Sequence, residues 1–84
     1  MSVGFSKLAP RPRPPRELLV EFFAERNKTF YRIELVDHGP EIGVEGQLIN
    51  NGEMQYAPRF PTREAVLQWA AEVRKDVETG RFNP

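Results

Sequence analysis

The stretch from residue 61 to 80, PTREAVLQWAAEVRKDVETG, constrains this chain more than any other. Val66, Trp69, Ala70, Val73 and Val77 recur at three- and four-residue spacing, which sets them on one stripe of an α-helix with Leu67 at its shoulder. Arg63, Gln68, Glu72, Lys75, Asp76 and Thr79 fall elsewhere and read as the solvated side. Thr62 suits the N-cap, because its hydroxyl can accept from a first-turn N–H that has no partner inside the helix. Glu64 meets the positive end of the helix dipole, Arg74 and Glu78 form a pair four apart, and Gly80 can close the helix in a left-handed conformation. Such a stripe has to be buried against something. On this stripe Trp69 reads as core rather than as a residue for stacking a ligand.

What lies upstream is short and strand-like. Residues 17–27, ELLVEFFAERN, can be read two ways. As a helix, Leu18, Leu19, Phe22 and Phe23 share a face. As a strand, Leu18, Val20, Phe22 and Ala24 alternate with Glu17, Glu21 and Glu25, and the β-branched and aromatic content favours this reading. Residues 29–37 form a clearer strand, with Tyr31, Ile33 and Leu35 on one side and Phe30, Arg32, Glu34 and Val36 on the other. His38-Gly39-Pro40 breaks it. A third strand over 43–50 carries Val44 and Leu48 inward, and Gly46 in its middle predicts a bulge or a close backbone approach. Asn51-Gly52 is a hairpin signal, since a type I′ turn needs positive φ at both central residues. The fourth strand, 53–59, has Met54 and Tyr56 inward, and Pro58 places its end at a sheet edge.

The expected fold is α+β: an antiparallel β-meander of three to four strands packed on one face by a single C-terminal α-helix. A Pro/Arg-rich extended arm, residues 1–16, precedes a single small domain over 17–80 and a tail over 81–84. The arm ends in PRPRPPR, where alternating proline favours an extended, flexible or surface-lying conformation, with Phe5 and Leu8 as its sizeable apolar residues. A core of this size is close to the limit of self-sufficiency, so association is an accessible route to stability.

One face of that sheet has no helix to cover it. It would carry Leu19, Phe23, Phe30, Val36 and Ile49, and a soluble monomer rarely exposes a contiguous apolar patch of more than a few hundred Å². These five residues are the candidate partner-binding set, the cover being either the arm or another chain.

Composition narrows the chemistry. There is no cysteine and a single histidine, which excludes disulfides, thiol chemistry and a His-rich metal site within one chain. No apolar run approaches the roughly 20 residues of a membrane span, and the N-terminus lacks the apolar centre of a signal peptide, so a soluble cytoplasmic protein is expected. Asp37-His38 is the one place that resembles an acid–base pair, but neighbours at a strand end point apart, and a turn cap with a solvated imidazole is the simpler reading. With no nucleophile–base pair, phosphate loop or metal spacing, no catalytic, cofactor or metal residues are assigned and no enzyme is expected. Lys7, Arg11, Arg13 and Arg16 lie in the first sixteen residues without an acidic neighbour, so the remaining chain is net acidic.

The strand–strand–strand–helix order, with Phe60, Thr62, Arg63, Glu64, Ala65 and Trp69 opening the helix and Glu78-Thr79-Gly80 following it, resembles the arm-type DNA-binding domain of phage integrases. That likeness implies a sheet entering the major groove. With a helical first segment, the order α-β-β-β-α and the placing of His38-Gly39-Pro40 resemble a double-stranded-RNA-binding domain, which carries at the start of its last helix a basic cluster where this chain has Arg63-Glu64. Over most of the chain after the arm, Glu17-Leu18-Leu19, Glu34-Leu35, Asp37-His38-Gly39, Gly43-Val44-Glu45, Arg59-Phe60, Thr62-Arg63 and Gln68-Trp69-Ala70 resemble a group of small uncharacterised bacterial proteins. That likeness implies a strand for the first segment and no particular function.

Two functional expectations follow. The first is a non-enzymatic module that self-associates or binds a protein through Leu19, Phe23, Phe30, Val36 and Ile49. The alternative is a nucleic-acid-binding module with Arg11, Arg13, Arg16 and Arg32 on phosphates.

Overall fold

A computed structural model describes residues 14–82 of the chain. In order come β1 (Arg16–Ala24), β2 (Thr29–Asp37), β3 (Val44–Asn50), β4 (Glu53–Tyr56), β5 (Arg59–Phe60) and α1 (Arg63–Thr79). β1 to β4 form an antiparallel meander in chain order, and β5 returns to pair with the start of β3. The helix lies across one face, so the fold is α+β. Among the described residues no helix is long and apolar enough to cross a membrane.

Local chemistry accounts for the boundaries. Thr62 is extended, and its Oγ1 accepts from Ala65 N at 3.2 Å. Gly80 closes the helix at φ 77°, a left-handed value that costs glycine nothing. Asn51 and Gly52 both have positive φ, 49° and 87°, as the β3–β4 hairpin demands. The alternation in residues 17–24 resolves as strand, because Phe22 and Ala24 on that face are buried while Glu21 and Phe23 are not.

The core is one layer thick. Val66, Ala70, Val73 and Val77 of α1 are buried toward the sheet, whose inner face supplies Phe22, Tyr31, Ile33 and Leu48. Phe22 and Tyr31, opposite each other in β1 and β2, stack with ring centroids 5.3 Å apart. Trp69 is half-buried over Gly46, where an added Cβ would lie 2.5 Å from the indole Cζ3. Of the two meanings open for Gly46, close approach is the one that applies: an aromatic side chain occupies the space.

Two β-bulges change which face residues take. In β1, Leu18 lies opposite Glu34 while Val20 lies opposite Ile33, so Leu19 is the extra residue. Leu18, expected with Val20 and Phe22 on one face, is therefore turned outward and half exposed, and Leu19, expected outward, packs against the core. In β4, Ile49 pairs with Met54 but Leu48 pairs with Tyr56, leaving Gln55 as the extra residue. Tyr56 stays inward against Trp69, at a centroid distance of 6.3 Å, whereas Met54 is flipped to the open face and 58% exposed. Met54 thus does not join the helix-facing core. Arg16 is the first residue of β1, paired with Val36, and the preceding Pro15 carbonyl accepts from Asp37 N at 3.0 Å. At the other end, Arg81 and Phe82 N–H groups both donate to the Asp76 carbonyl, so the chain doubles back and Phe82 packs on the core.

Candidate functional site

The sheet face turned away from α1 is organised in rows that cross the strands. Nearest the β1–β2 turn, Phe23 and Phe30 stand opposite each other, 50% and 40% exposed. The next row runs Glu21, Arg32, Ile49, Met54. Below it come Leu18, Glu34 and Gln47, then Arg16, Val36 and Glu45. One end of the face is therefore aromatic and apolar, and the other is polar.

The polar end is a connected network. Glu34 is 5% exposed and takes Arg16 on one carboxylate oxygen at 2.5 Å and Arg32 on the other at 2.6 Å. Arg16 also donates to Gln47 Oε1 at 2.7 Å, and Gln47 Nε2 donates to Glu45 Oε1 at 3.2 Å. His38 Nε2 lies 2.9 Å from the same Glu45 oxygen. Burial pushes the Glu45 carboxyl up, but the hydrogen bonds from His38 and Gln47, together with the charges of His38 and Arg59, outweigh it and hold the group below its ordinary value. The imidazole, expected to be solvated, is half-buried and tied to Glu45. Asp37 acts instead as a turn cap, its Oδ1 accepting from Gly39 N at 2.9 Å.

Comparison with protein-family models, curated proteins and solved structures returns no match.

The structure brings Phe23, Phe30 and Ile49 of the expected set onto one surface. It does not bring Leu19, which the bulge turns toward the core, and Val36 lies on the same face but is only 3% exposed. In their place it adds Met54 and Leu18, both of which alternation alone assigns to the inner face. No local sequence signal marks the extra residues Leu19 and Gln55, so alternation alone misplaces Leu18 and Met54. Of the arginines named for phosphate contact, Arg16 and Arg32 are both engaged with Glu34, and Arg32 Nε lies 3.7 Å from Glu21 as well. Arg11 and Arg13 lie outside the described residues.

Chemically, the face offers an apolar contact patch rimmed by charges of both signs. The β1 end of the sheet is also fastened to the helix, since Arg63 donates to Glu17 through both terminal nitrogens, one of them at 2.9 Å. Hydrogen bonding to Arg63 holds the Glu17 carboxyl below its ordinary value and raises Arg63 in turn.

Proposed function

We propose that this protein is a non-enzymatic self-association module in which the open sheet face meets the same face of a second copy. The observation that carries the reading is the cross-strand Phe23–Phe30 pair standing exposed beside Ile49 and Met54 at an end of the face that no element among the described residues covers. Aromatic side chains at the centre of a contact supply most of its energy. An isologous contact must also be self-complementary, and this patch is bordered by Glu21 and Arg32, one charge of each sign. A core one layer thick gains from a second sheet packed about 10 Å away. A cytoplasmic location accompanies the reading.

The competing reading, phosphate binding by Arg11, Arg13, Arg16 and Arg32, is weakened because two of the four, Arg16 and Arg32, are already ion-paired with Glu34. Light scattering behind size exclusion tests the proposal. The wild-type chain is expected as a dimer and Phe30→Glu as a folded monomer with an unchanged far-ultraviolet spectrum. A wild-type chain that remains a monomer at the highest soluble concentration would overturn self-association. In that case a salt-dependent nucleic-acid titration becomes the next measurement.

A further inference from the structure

A second feature lies on the helix side of the sheet, independent of the open face. Tyr56, Trp69 and Phe82 line a groove of about 350 Å³ between β4, α1 and the returning C-terminal segment. The Tyr56 and Trp69 ring centroids are 6.3 Å apart with their planes inclined by 44°. Tyr56 and Phe82 are 6.4 Å apart at 65°. Tyr56 is 44% exposed and the other two rings are half-buried, so aromatic surface remains open to solvent at the groove. Glu72 and Asp76, one helical turn apart on α1, line the same groove, and neither carboxylate has an ion-pair partner among the described residues. Arg81 is the one cation lining it among the described residues.

Three aromatic side chains and two unpaired carboxylates lining one groove select for a particular ligand chemistry. Ring faces are the negative pole of the aromatic quadrupole, so they and the carboxylates act in the same sense and both repel anions. A neutral apolar ligand would leave the carboxylates without a role. A bare metal ion demands three or more convergent donors, and no group of three acidic or histidine side chains is assembled among the described residues. A cation wrapped in methyl groups loses little hydration against the rings and still gains from the charges.

We propose that this groove binds an alkylated ammonium group, with Tyr56, Trp69 and Phe82 contacting its methyls and Glu72 and Asp76 neutralising its charge. Both a free quaternary amine and a methylated lysine side chain carry this group.

Trp69 is the only tryptophan in the chain, so its emission reports directly on the site. The full chain is titrated with tetramethylammonium chloride against sodium chloride at equal ionic strength, and against neopentyl alcohol as a neutral isostere. A saturating emission change with the ammonium alone is expected. Glu72→Gln combined with Asp76→Asn should weaken it about tenfold, Tyr56→Ala should weaken it at least as much, and Arg81→Gln should tighten it severalfold. The Arg81 variant keeps the test informative if Tyr56→Ala unfolds, because it removes no wall. Choline and a trimethyllysine peptide then separate the two sources: tighter binding of the peptide assigns a protein partner, and equal binding assigns the free amine. An equal response to sodium chloride or to the alcohol, or an Arg81→Gln variant that binds more weakly, would overturn the proposal.

Discussion

Gly46 shows how much one missing side chain can decide. Its position opposite Leu35 and its contact with the Trp69 ring leave no room for a methyl group. Gly46→Ala should therefore force the indole out of place and cost about 1–3 kcal/mol, as overpacking does in a filled core. Urea unfolding followed by Trp69 emission would report both the lost stability and the moved ring; an unchanged midpoint would show that the indole can shift at no cost. The glycine was legible in the sequence as an exception inside a strand, but its partner was not, because nothing local links residue 46 to residue 69. Glu34 presents the opposite case. Its place on the alternating face was clear, but its near-complete burial depends on Arg16 and Arg32 folding over it from two strands.

At the scale of elements, the helix depends least on its surroundings for its limits. Thr62→Ala removes the hydroxyl that accepts from Ala65 N and should cost about 1 kcal/mol, within the usual range for a lost cap. Thermal unfolding checks this, and Thr62→Ser should restore most of the loss. The strands are less self-contained. β1 and β4 each contain one extra residue, Leu19 and Gln55, and each bulge reverses the facing of residues on one side of it. Deleting Gln55 should let the ladder continue regularly, with Tyr56 still opposite Leu48 and Met54 still opposite Ile49. The expected outcome is a cooperatively folded protein within about 1 kcal/mol of wild type, since surface changes of this kind are usually small. A collapse of stability would mean that the bulge is needed to set the following Ala57–Pro58 connection.

For the whole molecule, acid is the informative stress. Glu17 and Glu45 both have folded values held below 4.5, so each contributes stability that is complete above that value. The contribution falls away as pH drops through the depressed folded values. Circular dichroism melts should therefore show a melting temperature that is flat near neutrality and declines from about pH 4.5 downward. In Glu45→Gln the decline should be shallower. An unchanged slope would remove Glu45 from the account. The same buried network shapes the open face: with Arg16 and Arg32 committed to Glu34, the exposed apolar residues at the other end are its main unpaired feature.

Periodicity and capping chemistry alone determined the helix and its ends, the strand character of residues 29–37 and the Asn51-Gly52 turn. These rest on contacts within a few residues, and the sequence states such contacts directly. Tertiary structure decided the rest. Which leucine faces out, where Met54 points, which carboxylate holds His38 and what Gly46 makes room for all depend on register between distant strands. A one-residue slip there reverses a side chain, and the energy that sets the register comes from packing spread over the sheet and helix together.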